Sequence, residues 1–158
     1  MMPMRAILAA LAVAVSACGA SLPRVPPETE ARAVLDDIID AGLARDWERL
    51  CANASGTCER ELDGMKALAP RQPPRIAGVS VVQPVREGDG WRSGGVLFVL
   101  CGTDAAASPY ESEVLVFDDG EQLLATAAVY WVGTRVSFAP SGDAVTPRGP
   151  NASLTRCG

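Results

Sequence analysis

The chain has 158 residues, with fourteen Lys+Arg against nineteen Asp+Glu, a formal net charge of −5 and no histidine. The acidic balance argues against nucleic acid and anionic lipid head groups as partners, since both call for a basic face. The lack of histidine removes Ser-His-Asp and Cys-His nucleophile systems and His-based zinc or copper sites.

Met1 to Arg5 carries one positive charge, Ala6 to Val15 is apolar, and the small residues Ser16 and Ala17 lead into Cys18. An apolar run of that length suits an export signal and falls short of the roughly 20 residues a membrane span needs. The stretch Val15-Ser16-Ala17-Cys18 resembles a bacterial lipobox. That resemblance implies a signal peptide over residues 1–17, cut before a Cys18 that carries fatty acyl chains. It places the mature protein at the cell membrane, lipid-anchored on the extracytoplasmic face. Each buried methylene contributes about 0.8 kcal/mol, and two or more chains anchor stably. The alternative is an ordinary secretory signal with Cys18 incidental. Lys66 is the only lysine, and alanine is abundant; this bias resembles that of GC-rich actinobacteria. Residues 18–27 hold three prolines and read as a tether reaching at most roughly 30 Å. Residues 28–158 read as one domain.

Ala31, Val34, Leu35, Ile38 and Ala41 or Gly42 recur at helical spacing and predict an amphipathic helix over 28–45. Glu28 and Glu30 sit in its first turn, where the helix dipole favours them. Asp46 is the expected N-cap of a second helix with Trp47, Leu50, Cys51 and Ala54 on one face. The Asn53–Thr57 stretch breaks that helix, and a third is expected from Cys58, with Leu62, Met65 and Ala69 inward, ending before Pro70. Strands follow: Arg75 to Val85, then Trp91 to Gly102 with its apolar run Val96–Leu100. Between them Glu87-Gly88-Asp89-Gly90 forms a turn. Thr103 to Pro109 is a loop. Tyr110 to Phe117 alternates, with Glu111 and Glu113 on one face and Ser112, Val114 and Val116 on the other. Asp118-Asp119-Gly120-Glu121 is a hairpin turn. Leu123 to Phe138 supplies one long final strand, bent at Gly133, and Tyr130 lies in its middle.

With Cys18 set aside, Cys51, Cys58, Cys101 and Cys157 allow three pairings. An exported protein favours forming them. The preferred pairing is Cys51 with Cys58, stapling two helices, and Cys101 with Cys157, tying the chain's end to a central strand for about 3–4 kcal/mol. A redox pair lacks the Cys-x-x-Cys motif, and the spacings fit no zinc finger or ribbon.

Helices followed by about four antiparallel strands make an α+β order. The segment Ala41-Gly42-Leu43-Ala44-Arg45-Asp46-Trp47 is similar to the helix–turn–helix start of NTF2-like (cystatin-like) domains. There, helices pack on a curved sheet to make a cone with an internal cavity. The resemblance covers residues 28–138. It departs at Arg45, where the usual residue is glycine, and in the closing strand, which lacks the common Gly-Trp ending. Cys101-Gly102-Thr103-Asp104, the run from Tyr110 and Val129-Tyr130-Trp131 also resemble features of actinobacterial lipoproteins of uncharacterised function.

The acidic turns lack the alternating carboxylates of a calcium loop. Ser93-Gly94-Gly95 lacks the lysine and helix of a phosphate cradle. No metal and no cofactor are expected. Some NTF2-like enzymes place an Asp or Tyr inside the cone, where desolvation raises a carboxylate pKa toward general-base duty. The corresponding candidates here are Tyr110, Glu111, Asp104 and Tyr130, and catalysis needs at least two of them to converge on one cavity. The leading expectation is a non-enzymatic, lipid-anchored module that binds a small ligand or an envelope protein, with Trp47, Trp91 and Trp131 as candidate contacts. The alternatives are a small-substrate pocket enzyme of isomerase or hydrolase type and a protein–protein adaptor using the long final strand as a pairing template.

Overall fold

A computed structural model describes residues 23–88, 90–136, 145–147 and 156–157, without the side chains of Glu87, Trp91 and 145–147. Cys18, the expected signal segment, half of the expected tether and the turn residue Asp89 lie outside the described residues.

Helix α1 spans Glu28–Ala44, opens after Pro27 and carries Glu28 and Glu30 in its first turn. It ends as Arg45 swings into the left-handed region at φ 63°, with the Arg45 and Asp46 amides donating back to Gly42 O and Ala41 O. Asp46 then caps α2, Trp47–Ala52, its side chain accepting from the Arg49 amide. Helix α3 is shorter than its apolar spacing predicts. It covers Cys58–Leu62, because Gly64 takes φ +80° and turns the chain into a single 3-10 turn at Lys66–Leu68.

Among the described residues eight strands follow: β1 Arg75–Val82, β2 Val85–Glu87, β3 Gly90–Arg92, β4 Gly95–Thr103, β5 Pro109–Asp118, β6 Leu123–Ala125, β7 Thr134–Val136 and β8 Val145–Pro147. The main sheet is four-stranded and antiparallel, in the order β1-β4-β5-β6, with three helices before it. The chain is therefore α+β. Strands β2 and β3 form a hairpin at the Glu87–Gly90 turn, and β7 and β8 form a second one. Between the first hairpin and β4 the chain runs very close to its neighbours. A Cβ on Gly95 would lie 2.2 Å from Val116 O, and one on Gly94 would lie 2.5 Å from Val82 O. The Gly-Gly pair thus serves close packing.

The long final strand expected over 123–138 does not form. It is cut into β6, a 3-10 turn at Tyr130–Val132 and β7. Tyr130 is therefore not mid-strand. A strand sends neighbouring side chains to opposite faces, whereas Tyr130 and Trp131 are both buried in the same core. The turn lets two successive aromatic rings point inward, and Gly133 at φ 71° releases the chain into β7.

That core lies between α1, the short helices and the inner face of the sheet. Ala31, Leu35 and Ile38 of α1 meet Val96, Phe98 and Leu100 of β4 and Val114 and Val116 of β5. A smaller cluster on the outer face joins Leu97, Leu115 and Val136, with Val82 against them. Two disulfides complete the frame, Cys51–Cys58 and Cys101–Cys157, with Cα–Cα distances of 5.4 and 5.6 Å.

Candidate functional site

Four of the five aromatic residues singled out from the sequence converge. Trp47 at the start of α2 lies 6.3 Å from Trp131, Trp131 meets Tyr130 edge-on at 5.2 Å, and Tyr130 lies 6.1 Å from Tyr110. The row runs from a half-exposed Trp47 to a buried Tyr110 on β5. The Trp131 indole donates to Met65 O at 3.0 Å, and the Arg45 guanidinium sits 6.0 Å from the Trp47 ring centroid. The Trp91 side chain lies outside the described residues.

At the inner end, the Tyr110 and Tyr130 hydroxyls are buried and make no hydrogen bond within the protein. An unsatisfied buried hydroxyl costs about 1–3 kcal/mol, so two side by side are a local departure from good packing chemistry. Each rests on a glycine. A Cβ on Gly102 would fall 2.5 Å from the Tyr110 oxygen, and one on Gly42 would fall 3.2 Å from that of Tyr130. Gly102 is the cross-strand partner of Tyr110, whose ring covers the gap the glycine leaves. Burial pushes both phenols well above the usual tyrosine range. The neighbouring Tyr130 and the Asp104 carboxylate raise Tyr110 further; for Tyr130, Arg45 pulls down and Asp40 pushes up. Both stay protonated through the physiological range. They can donate a hydrogen bond but cannot serve as bases.

The other two catalytic candidates are elsewhere. Glu111 neighbours Tyr110 in sequence and so points to the opposite face of β5. There it is buried, its carboxylate accepting from the Arg156 amide at 2.8 Å. Asp104 is engaged by its own loop, accepting from the amides of Ala106 at 2.8 Å and Ser108 at 2.9 Å. The four candidates therefore do not converge on one cavity. Two phenols meet, one carboxylate holds a loop and one lies across the sheet.

Glu111 and Glu113 form a second polar locus that alternation alone did not single out. Glu113 accepts from the Val136 amide at 3.2 Å and pairs with the Arg156 guanidinium at 3.0 Å. Arg156 precedes Cys157, which is bonded to Cys101 directly across from Glu111. Arg156 and Cys157 thus form a short strap on the outer sheet face, fastened by one disulfide and two carboxylates. The residue types could have suggested it: two glutamates on an apolar strand need partners, and the arginine stands beside the cysteine expected to pair with that region.

A third polar group lies on the surface. Arg49 and Asn53 of the α2 segment both donate to the Asp37 carboxylate of α1, and the Arg49 hydrogen bonds hold that carboxyl below its usual range. Two shallow grooves are open to solvent, one between α1 and the start of β1 around Asp36, Asp40 and Pro74, the other beside the Cys51–Cys58 disulfide. None of the four catalytic candidates lines either. Among the described residues no group of three or more Cys, Asp and Glu side chains gathers in a metal-holding arrangement, and no helix is long and apolar enough to cross a membrane. No family model, curated protein or solved structure matches the chain.

Proposed function

We propose that this protein is an extracytoplasmic lipoprotein, anchored to the cell membrane through acyl chains on Cys18, whose domain is a non-catalytic binding module. The observation that carries the address is the disposition of the cysteines. Four of the five are engaged in two disulfides, as suits an oxidising compartment. The fifth, Cys18, directly follows an export-type apolar segment ending in Ser16-Ala17. Replacing Cys18 with Ala in a lipoprotein-processing bacterial host moves the protein from the membrane fraction into the precursor or secreted pool. Unchanged fractionation overturns the anchor.

Binding is favoured over catalysis by the phenol pair. Two neutral donors inside an apolar core suit an acceptor oxygen of a ligand, a carbonyl or carboxylate, and supply no base. The order of three helices and an antiparallel sheet also supports kinship with NTF2-like cones, where the equivalent interior holds ligands. Native mass spectrometry of membrane-extracted protein then finds a co-purifying small molecule, and Tyr110→Phe with Tyr130→Phe lowers its occupancy at least tenfold. Equal occupancy in the double variant removes the phenols from the binding site.

A further inference from the structure

The two edges of the main sheet are treated differently. On the β6 side the segment after α2 closes the edge. Ala54 bridges Ala125, the Ser55 amide donates to Ala125 O at 2.9 Å, and the Ala125 amide donates to Asn53 O at 2.9 Å. On the β1 side no described strand or helix pairs beyond it. Val79 and Val81 of this strand are 39% and 56% exposed. They register against Phe98 and Val96, so they lie on the same sheet face as the core. Helix α1 packs chiefly over β4, β5 and β6.

Soluble proteins ordinarily blunt such an edge with charge, proline, a bulge or a short strand. Here a bulge lies between Ile76 and Gly78, and it leaves the regular run Gly78–Val82 with neither charge nor proline. We infer that Gly78–Val82 is a self-pairing edge, and that its occupant is the same strand of a second copy of this chain, joined antiparallel about a twofold axis at Ser80.

Three features select a second copy. The run is centred on Ser80, so a twofold there sets Val79 opposite Val81 of the partner and Val81 opposite Val79, on one face. Four exposed valines then cover one another. No like charges meet within the paired run, and Arg75 falls opposite the uncharged Val85 of the other copy. Strand pairing alone lies below the roughly 1,000 Å² expected of a lasting interface, and here the proposal rests on the anchored reading. A tether of residues 18–27 holds every copy at the same short height over one membrane, which raises the effective concentration of matching edges.

The test uses the full-length protein in membranes of a processing host. Opposed Cα atoms in an antiparallel pair are about 4.5–5.5 Å apart, so Ser80→Cys treated with a short bismaleimide gives a covalent dimer. Arg60→Cys, exposed on α3 away from the edge, gives at most a tenth of that yield. Adding Val81→Lys to Ser80→Cys reduces the dimer at least tenfold while leaving the thermal midpoint unchanged. Equal yields at Ser80 and Arg60, a Val81→Lys variant that dimerises as well as its parent, or Ser80 linking to a different protein overturns the second-copy assignment. Fractionation of the same sample separates the two readings. Membrane-bound protein without dimer defeats the pairing alone, and soluble protein that still dimerises defeats the anchor alone.

Discussion

The inner and outer faces of β5 are both buried, for opposite reasons. Tyr110, Ser112, Val114 and Val116 on the inner face are covered by elements whose own apolar periodicity aims them there, chiefly α1 and the Tyr130–Val132 turn. Glu111, Glu113 and Leu115 on the outer face are covered by β7 and by the Arg156–Cys157 strap. The first face is buried by hydrophobic matching. The second is buried by long-range fastening that supplies partners for two carboxylates. Apolar burial is roughly proportional to area and tolerates small shifts, whereas a buried carboxylate needs a donor within hydrogen-bond reach. The outer face therefore depends on geometry far more than the inner one.

Substitutions can separate the two modes. The largest effect is expected on the inner face, where Phe98→Ala empties a fully buried site and lowers stability by about 3–5 kcal/mol in urea unfolding; a loss below 1 kcal/mol would mean the core is not held by that packing. Next is the strap. Replacing Cys101 and Cys157 together with Ala removes a link spanning 56 residues and costs about 4 kcal/mol, whereas removing the seven-residue Cys51–Cys58 link costs about 2.5 kcal/mol. Equal losses from the two pairs would show that the strap does not organise the outer face. Glu113→Ala leaves the Val136 amide and the Arg156 guanidinium without their acceptor and costs about 1–3 kcal/mol. In the Cys101/Cys157 double variant the same substitution should cost markedly less, because the strap that brings Arg156 is already loose; additive losses would break that coupling.

The phenols are predicted to behave oppositely to the glutamates. Removing an unpartnered hydroxyl by Tyr130→Phe leaves stability at neutral pH unchanged or raises it by about 1 kcal/mol, and a loss of that size would reveal a partner. Their raised pKa values favour the neutral form in the folded state. That contribution is present below pH 10, the ordinary tyrosine value, and is lost as pH rises above it. The double Phe variant should accordingly resist alkaline unfolding better than the parent. The smallest effect concerns the surface pair. Asp37 is held low by Arg49, so its contribution is present above the unfolded carboxylate range near pH 3.8 and fades as pH falls through its folded value. Asp37→Asn should flatten the acid limb slightly in a pH series of melting temperatures and leave the alkaline limb untouched.

Much of the helical layer is legible in the chain because its signals are local. Asp46 caps α2 as its position predicts, and the acidic first turn of α1 and the turn at Asp118–Glu121 appear where their residues place them. Arg45 shows the limit of such reading. A helix end of this kind favours glycine for its positive φ, and an arginine occupies it at 63° while donating to Pro70 O, a contact 25 residues away. The final strand shows the same limit from the other side. A run of Leu, Val, Tyr and Trp has strand composition, and only the demand that Tyr130 and Trp131 enter one core breaks it.

Periodicity, caps and turn residues act over a few positions, so the sequence by itself determined the α+β order, the start of each helix, the apolar central strand and the cysteines available to pair. Burial and strand pairing depend on residues brought together from distant parts of the chain. Only the tertiary structure could decide that Tyr110 and Tyr130 meet, that Glu111 and Glu113 are sealed beneath Arg156, and that among the described residues β6 and not β1 has its outer edge closed. The reason is the same in each case: whether a side chain or a strand edge loses its water is set by what covers it, and the covering groups lie tens of residues away.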